Sequence, residues 1–332
     1  MSTLSGLSRL ARLLNIRYPI VQSGMGRVAG PELTAEVSRA GALGILAGLN
    51  LAPDDLRRQI QRIRELTDRP FGVNLWLHPE LLPPIDPATL PAEKVAAANA
   101  ALNSARRVLG LPESDAAPPR RADTIDASID VILEQRVPVW SIGLGLPSRD
   151  AVARCHDCGI HVMVMVETVG DAKAAENAGA DSIVAQGSEA GGHRSRWRRS
   201  PDAAVGTLAL VPEIVDAVRV PVIAAGGIAD GRGLAAALAL GAAGVLMGTR
   251  FVATKESMAP DFWKRRIVER RIDRRSSARV RSGGSDHARS SRDARANQHR
   301  AQRDGRNRRR SLITFVLSCF RGCFSCCLRS LC

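Results

Sequence analysis

The sequence predicts a parallel α/β barrel of eight strands. Short apolar runs rich in β-branched residues alternate with Ala-rich amphipathic segments, a pattern typical of repeated βα units around a parallel sheet. Eight such runs occur, which is the number that closes a barrel of this kind. The chain has 332 residues, and a (β/α)8 barrel needs about 250. The predicted fold class is therefore α/β, a (β/α)8 TIM barrel, with residues to spare.

The predicted elements follow one another in regular alternation. The strands are expected at residues 18–23, 42–47, 71–77, 137–144, 161–167, 182–186, 220–225 and 244–252. Helices are expected at residues 32–40, 54–67, 92–109, 149–157, 169–178, 205–218 and 231–240. Gly41, Gly159 and Gly179 each follow the end of a helix and precede a strand. Glycine adopts the left-handed conformation of a helix C-cap at low cost, so these positions support the predicted boundaries.

Two connections are too long to be plain βα loops. Residues 78–136 are Pro-rich at both ends around the helix at 92–109, and we predict that they form an inserted helical cap over one end of the barrel. Residues 187–206 follow the sixth strand and contain the stretch EAGGH and a basic run. Loops that follow strand C-termini build the active sites of such barrels, so we expect both insertions beside the site.

The positive charge of the chain is confined to its C-terminal part. The formal net charge is +14, yet residues 1–263 contain 27 Lys and Arg against 28 Asp and Glu, and residues 264–332 contain 20 against 5. Residues 270–310 hold almost no apolar side chain, a composition that predicts disorder. We therefore divide the chain into a barrel at 1–269 and an Arg- and Cys-rich tail at 270–332, disordered or translated out of frame. The rival interpretation is a basic arm that binds polyanions through phosphate charge, although its lack of interleaved aromatic residues argues against a specific nucleic-acid partner.

The placement of the cysteines and the lengths of the apolar runs indicate the cellular compartment in which we expect the protein. Cys155 and Cys158 lie in the body and five cysteines lie after residue 318, which does not resemble the disulfide framework of a secreted protein. The first residues lack the apolar core of a signal peptide, and no segment has the roughly 20 apolar residues of a transmembrane helix. We therefore expect a cytoplasmic protein without a transmembrane segment. The sequence does not indicate the oligomeric state.

Two glycine loops at consecutive strand ends predict a phosphate site. AAGGIADG, residues 224–231, follows the seventh strand, and LMGTRF, residues 246–251, follows the eighth. Glycines leave backbone N–H groups unshielded, and a following helix N-terminus adds partial positive charge. Phosphate sites of these barrels commonly lie after strands seven and eight. We expect the phosphate at Gly226, Gly227, Gly248 and Thr249.

Six motifs resemble those of a known enzyme family. PIVQSGMG, GVNLW, AQGSEAGGHR, VGTLALVPEIVDAV, PVIAAGGIADGRG and LMGTRFVATKES are similar, in order and spacing, to the FMN-dependent nitronate monooxygenases, formerly called 2-nitropropane dioxygenases. The resemblance covers about residues 18–269. The related FMN-dependent enoyl-ACP reductases share the glycine–histidine motif, so the resemblance alone does not separate the two activities.

The resemblance implies FMN as the cofactor and assigns its contacts to particular residues. Those contacts fall on Met25, Asn74, Gln186, Gly191, Gly227, Leu246, Met247, Gly248 and Thr249. The residue types agree with this role at Asn74 and Gln186, because amides at strand ends can donate and accept hydrogen bonds along an isoalloxazine edge. The alternative for each amide is a capping or turn-stabilising role.

The resemblance places the catalytic histidine at His193. Imidazole can take a proton from a weak carbon acid near neutral pH, and the two preceding glycines let the loop approach a flat ring closely. Taken alone, a loop histidine is more often an ordinary surface residue. Glu189 is either a helper of this histidine or a cap of the turn.

The implied reaction is oxidation of alkyl nitronates, and of the parent nitroalkanes, by O2 to a carbonyl compound and nitrite. The alternatives are an enoyl-ACP reductase or another NAD(P)H-dependent flavin oxidoreductase, and, in a different class, an inactive truncated barrel whose basic tail binds polyanions. No metal is expected, because the Cys155–Cys158 pair sits in a helix without a second ligand pair. The absence of a cysteine after the sixth strand argues against the inosine-monophosphate dehydrogenases, which need a nucleophilic thiol there.

Overall fold

The computed structural model describes residues 8–49, 51–77, 86–119, 124–195 and 205–277, and the side chains of 270–277 are not included. It confirms the predicted α/β fold class: eight parallel strands form one sheet in the order β1-β8-β7-β6-β5-β4-β3-β2. The strands are β1 (Ile20–Gln22), β2 (Gly44–Ala47), β3 (Phe71–Trp76), β4 (Val139–Leu144), β5 (His161–Val166), β6 (Ser182–Gln186), β7 (Val222–Ala225) and β8 (Gly244–Met247).

Eleven α-helices are described around this sheet within the same residues. They are α1 (Arg9–Leu13), α2 (Pro31–Arg39), α3 (Pro53–Leu66), α4 (Ala92–Val108), α5 (Ile125–Glu134), α6 (Arg149–Asp157), α7 (Val169–Ala178), α8 (Thr207–Ala217), α9 (Gly231–Ala239), α10 (Thr249–Val252) and α11 (Asp261–Ser277). A short 3-10 helix covers Pro87–Thr89. The predicted left-handed glycines are confirmed, with φ of 96° at Gly41, 71° at Gly159 and 100° at Gly179.

A side chain helps to close the barrel between β1 and β2. In the described residues the pairing beside them is an isolated parallel bridge from Val21 of β1 to Leu43, the residue before β2. Beside it, the buried carboxamide of Gln22 accepts a hydrogen bond from the Ile45 N–H at 3.1 Å and donates one to the Ile45 carbonyl at 3.1 Å. The carboxamide thus takes the place that a peptide group of a longer strand would fill, and satisfies backbone groups that would otherwise be unpaired.

Helix α1 plugs the N-terminal end of the barrel. Leu10 and Leu14 are buried together with the inward-facing side chains of the strands, in an apolar cluster that includes Ile45 and Val184. The hydroxyl of Ser8, the N-cap of α1, donates to the carbonyl of Ala243 at 2.6 Å, just before β8. The inner core is therefore closed at this end, and the opposite end, where the strands have their C-termini, is left for the site.

The predicted strand at 244–252 is wrong in its second half. Strand β8 ends at Met247, and Thr249–Val252 form helix α10 after Gly248. Residues 244–247 and Phe251–Val252 are apolar and resemble the two halves of one longer strand, but the chain turns into a helix after Gly248, which leaves the ladder with φ −106° and ψ −76°. Helices α1, α5 and α11 were not predicted. The other predicted helices and strands differ from the structure only at their ends.

The two parts of the long segment after β3 differ in their packing. Helix α4 has no buried residue, whereas α5 buries Ser128, Ile129, Val131 and Ile132 and packs beside α3 as a wall helix of the barrel. Residues 78–85 and 120–123 lie outside the described residues, so a cap at 78–136 stays a prediction. The same holds for the tail: α11 continues past residue 269 to Ser277, and residues 278–332 lie outside the described part.

Among the helices that the structure describes, none combines the length and the apolar character needed to cross a bilayer.

Candidate active site

The residues predicted for cofactor binding and catalysis lie at the C-terminal ends of five strands. Because parallel strands of a barrel all end on the same face, these residues surround one mouth. Met25 follows β1 and Asn74 lies in the second half of β3; Gln186, Gly191 and His193 lie at or after the end of β6; Gly226 and Gly227 follow β7; Leu246, Met247, Gly248 and Thr249 lie at or after the end of β8.

Close approaches between neighbouring loops join these residues into one site. A Cβ atom added to Gly248 would lie 3.3 Å from Sδ of Met25, so the loops after β8 and β1 are in contact. A Cβ added to Gly227 would lie 3.2 Å from Cβ of Glu189, so the loops after β7 and β6 are also in contact. The missing side chains of these two glycines therefore let neighbouring loops approach each other closely at the rim of the mouth.

The glycine loops present unpaired amide groups. Within the described residues, the N–H groups of Gly226, Gly227 and Gly248 donate no hydrogen bond. Gly226 and Gly227 have φ of 116° and 68°, in the left-handed region that glycine adopts freely. Gly227 is exposed, and the other two are half-buried. Unpaired amides at successive strand ends form a concavity suited to an anion, so these loops can hold a phosphate group.

Asn74 is buried at the mouth and held by β4. Its Nδ2 donates to the carbonyl of Ser141 at 3.2 Å and to the Ser141 hydroxyl at 3.0 Å. A Cβ added to Gly24 would lie 2.5 Å from Cβ of Asn74, so the loop after β1 passes against this side chain and only glycine fits there. The Asn74 amide is therefore fixed between β4 and the first loop, and its contact with a flavin stays a prediction.

Gln186 fixes the loop that carries His193. Its Nε2 donates to the carbonyl of His193 at 3.1 Å, and its Oε1 accepts from the N–H of Ser195 at 2.8 Å. This is the turn-stabilising role that the sequence left open as the alternative for Gln186. The amide nitrogen carries a second N–H, so a contact with a cofactor edge is compatible with these two bonds.

Two further side chains anchor the same loop, and both were missed from the sequence. The Ser195 side chain is fully buried, and its hydroxyl lies 2.9 Å from the carbonyl of Gly143 and 2.7 Å from that of Met165. Nε of Arg194 lies 2.6 Å from the carboxylate of Glu167, which is buried at the end of β5. A short polar side chain two residues after the histidine and a glutamate directly after a buried strand were the available signals.

His193 itself is exposed at the mouth. Its imidazole lies edge-to-face with the indole of Trp76, with ring centroids 4.5 Å apart and an interplanar angle of 62°. Within the described residues, neither ring nitrogen makes a hydrogen bond or an ion pair. The imidazole is thus available to exchange a proton with a small molecule at the mouth.

Glu189 caps helix α8 rather than facing His193. Its carboxylate accepts hydrogen bonds from the Thr207 N–H at 2.8 Å and from the Thr207 hydroxyl at 2.9 Å. Burial alone would raise the pKa of this carboxyl, but the hydrogen bonds from Thr207 and Ser188 outweigh burial and lower the pKa below its usual value. The ionised carboxylate therefore ties the loop after β6 to the first turn of α8, which is the capping role that the sequence had left open.

Three of the predicted cofactor contacts differ in which of their atoms a ligand at the mouth could reach: Leu246, Met247 and Thr249. Leu246 faces the barrel interior, whereas Met247 is buried in the layer between the strands and the helices. Met247 can therefore contact a ligand at the mouth only through its main chain. Thr249 is exposed at the start of α10.

The other titratable candidates lie away from the mouth. His156 and His161 lie at the opposite end, where His156 Nε2 is 3.1 Å from Asp181 and His161 Nε2 is 2.8 Å from the Ser182 hydroxyl. Burial lowers the pKa of His161. Burial also raises the pKa of the Cys155 thiol to about 11, so this thiol is protonated at neutral pH. In the part of the chain that the structure describes, no group of three His, Cys, Asp or Glu side chains is placed to hold a metal ion.

A cavity outside the barrel is separate from this site. It has a volume of about 420 Å³ and lies between α5 and α6. Its lining includes Trp140, Asp130 and Arg154, and none of the residues predicted for cofactor binding or catalysis. The chemistry suggested by the sequence therefore belongs to the barrel mouth.

Comparison with known proteins supports an enzyme of one family. A family model described as nitronate monooxygenase matches residues 7–302. A probable nitronate monooxygenase of Staphylococcus saprophyticus is 40% identical over 265 residues, which cover 79% of this chain and 72% of that protein. A probable nitronate monooxygenase of Staphylococcus aureus is 38% identical over 263 residues, with the same two shares of 79% and 72%.

Two solved structures have similar folds. A nitroalkane oxidase from Streptomyces ansochromogenes matches with a TM-score of 0.67 and 39% identity, covering 77% of this chain and 71% of that one. FabK from Thermotoga maritima matches with a TM-score of 0.61 and 37% identity, covering 79% of this chain and 68% of that one. Both likenesses are consistent with the barrel described above.

Proposed function

The chain belongs to the nitronate monooxygenase family, and from that premise we propose that it oxidises alkyl nitronates with O2 to a carbonyl compound and nitrite. The observation that carries the proposal is that His193 and the two glycine loops lie at the C-terminal ends of strands around one barrel mouth. The likeness to a nitroalkane oxidase supports a small nitro compound as the substrate class.

We propose FMN as the cofactor, and the unpaired amides at two neighbouring strand ends support a place for its phosphate. The unpaired amides of the glycine loops would hold the phosphate, at Gly226, Gly227, Gly248 and Thr249. The ring would lie against the rim, at Met25, Asn74, Gln186, Gly191, Leu246 and Met247. Bound there, FMN would supply the redox chemistry that carries electrons from the substrate to O2.

His193 would act as the base for neutral nitroalkanes. A nitronate has already lost the proton on its α-carbon, whereas a nitroalkane must lose it before electrons can leave. The imidazole of His193 is exposed at the mouth and free of intramolecular hydrogen bonds in the described residues, so it can accept this proton. Gln186 and Ser195 would hold the loop so that the imidazole stays over the site.

Nitrite release from the two substrate forms tests this role. We expect His193→Asn to lower turnover of a nitroalkane by about 10²- to 10⁴-fold, the usual contribution of a general base, and to lower turnover of the pre-formed nitronate much less. His156→Asn is the matched control, because His156 is also exposed but lies at the other end of the barrel. Equal losses on both substrates would contradict the base role of His193.

The second candidate function is FMN-dependent enoyl-ACP reduction, which the shared stretch EAGGH favours. The two functions differ in their electron donor and in their product. If the protein oxidises NADPH with an enoyl thioester and releases no nitrite from a nitronate, the reductase function replaces the proposed one. If nitrite forms without NADPH, the proposed function holds.

A further inference from the structure

We propose that Trp76 is a positioning residue for His193, a role that rests on the proposed function of that histidine. Trp76 is the last residue of β3, two positions after Asn74. Side chains of a strand alternate between its two faces, so Trp76 shares a face with Asn74 and not with Val73 and Leu75. Val73 and Leu75 belong to the outer layer, which places Trp76 on the inner side at the mouth.

The indole of Trp76 lies across Gly143 of β4. A Cβ added to Gly143 would lie 2.8 Å from Nε1 and 3.0 Å from Cδ1 of the indole, so any other residue there would displace the ring. The register between β3 and β4 also shifts between Leu75 and Trp76. The absent side chain at 143 and the shifted register together let a large ring occupy the rim.

The loop of His193 is anchored at the same glycine. The carbonyl of Gly143 accepts from the hydroxyl of Ser195, and the N–H of Ser195 is held by Gln186. The main chain from the His193 carbonyl to Ser195 is therefore fixed relative to the residue that supports Trp76. The indole packs over Gly143, and the loop of His193 is hydrogen-bonded to the carbonyl of the same residue. This shared neighbour brings the indole and the imidazole together.

Trp76 is the contact that orients the imidazole. The main chain of His193 is fixed by Gln186, but in the described residues the ring nitrogens have no hydrogen-bond partner, so rotation about the side-chain bonds is limited by the indole. Edge-to-face aromatic pairs are stabilising beyond the area that they bury, enough to favour one ring orientation by roughly several-fold. Trp76 thus sets the direction from which the imidazole meets a substrate.

A histidine NMR measurement tests the contact without any assay of activity. The ring current of an indole displaces the resonances of protons beside it, so the imidazole resonances of His193, assigned from their loss in His193→Asn, should move in Trp76→Leu. Trp76→Phe should keep part of the displacement, because a smaller aromatic ring remains. Trp263→Phe is the control, since Trp263 is half-exposed on α11 and packs with Phe262. Unmoved His193 resonances in a folded Trp76→Leu protein would overturn the proposal.

Kinetics then test the positioning role. We expect Trp76→Leu to lower the ratio of nitroalkane turnover to nitronate turnover by about tenfold, with Trp76→Phe restoring most of it. In a His193→Asn background, Trp76→Leu should leave that ratio unchanged, because residues that act through each other are not additive. An unchanged ratio in the single variant, or a further loss in the double variant, would overturn the positioning role. Failure of the wild-type protein to release nitrite would instead refute the proposed function and leave the NMR result to decide the contact.

Discussion

At the scale of single residues, the loop after β6 has two glycines with open space beside them, followed by three residues that side-chain contacts hold in place. A Cβ added to Gly191 or Gly192 would meet no atom within 4 Å, so packing within the described residues does not require glycine at either position. The next three residues are held by Gln186, Trp76, and the Glu167 carboxylate. The open space beside the glycines would admit a flat ring. The fixed imidazole after them would then lie next to that ring as a positioned base.

Glu189 provides a prediction with a defined pH dependence. Its folded-state pKa is depressed, so the stabilisation is present above the unfolded pKa of about 4.3 and is lost as the pH falls through the folded value. We expect Glu189→Gln to lower the free energy of unfolding by about 0.3–1 kcal/mol at pH 7, the range for an exposed charged group at a helix N-terminus. The difference from wild type should shrink below about pH 4.

Urea unfolding at pH 7 and at pH 3.5 measures this difference. Glu213→Gln is the control, because Glu213 is an exposed carboxylate in the interior of the same helix. A loss for Glu189→Gln that is as large at pH 3.5 as at pH 7 would rule out an ionised cap.

At the scale of elements, the helix ends set where each strand begins. Helix α7 ends on Gly179 with φ 100°, and α6 ends just before Gly159 with φ 71°. The two glycines share the left-handed conformation and differ in their surroundings. A Cβ at Gly179 would lie 2.9 Å from Cγ1 of Val152, whereas a Cβ at Gly159 would meet nothing within 4 Å.

Alanine substitutions at these two glycines therefore separate the cost of backbone strain from the cost of steric overlap. We expect Gly159→Ala to cost about 1 kcal/mol of unfolding free energy, from the left-handed backbone alone. Gly179→Ala should cost a further 1–3 kcal/mol, roughly, because the added methyl group overlaps Val152 in a packed core. Thermal unfolding of the two variants measures both terms, and equal losses would show that the neighbouring helix yields to the methyl group.

At the scale of the whole molecule, the barrel is closed at one end and open at the other. Helix α1 supplies the closure: Leu10 is fully buried against Gly244, and a Cβ on that glycine would lie 2.7 Å from Cδ2 of Leu10. Leu13 of the same helix is 52% exposed. The plug therefore depends on one face of a five-residue helix.

Two leucine substitutions test the plug. We expect Leu10→Ala to lower the free energy of unfolding by about 2–5 kcal/mol, the range for a leucine removed from a packed core. Leu13→Ala should change it by less than about 0.5 kcal/mol, as for most surface positions. Chemical denaturation compares the two, and a similar small effect for both would mean that α1 is not part of the barrel core.

Much of the fold could be predicted from the sequence because the signals are local. Alternating apolar and Ala-rich segments gave the βα repeat, and Gly41, Gly159 and Gly179 marked helix ends correctly. The end of β8 could not be predicted in this way, because the four residues after Gly248 mix polar and apolar types and are too few to distinguish a strand from a short helix. Helix α1 was missed because its five residues are too few to show a helical period.

The positions of the predicted site residues followed from the order of the strands, but their partners did not. Gln186 contacts residues seven and nine positions away along the chain. The loop after β6 also reaches other strands: Arg194 contacts Glu167 after β5, Ser195 contacts Gly143 of β4, and His193 contacts Trp76 of β3. Such contacts depend on how the barrel curves, so the type and place of a residue in the chain can mark it as a candidate but do not identify its partner.

Binding of FMN at the glycine loops is the measurement that decides most directly whether the barrel mouth is a flavin site. Gly227 and Gly159 have nearly equal φ, 68° and 71°, but lie at opposite ends of the barrel, so an asparagine at each imposes a similar backbone cost. Titration with FMN, followed by the change in flavin absorbance, should show binding to wild type and to Gly159→Asn. Gly227→Asn should bind about tenfold more weakly or worse, because a side chain there keeps the phosphate from the amides and such bonds contribute about 1.5–3 kcal/mol. Wild type that binds no FMN, or Gly227→Asn that binds it as tightly as wild type, would contradict the site.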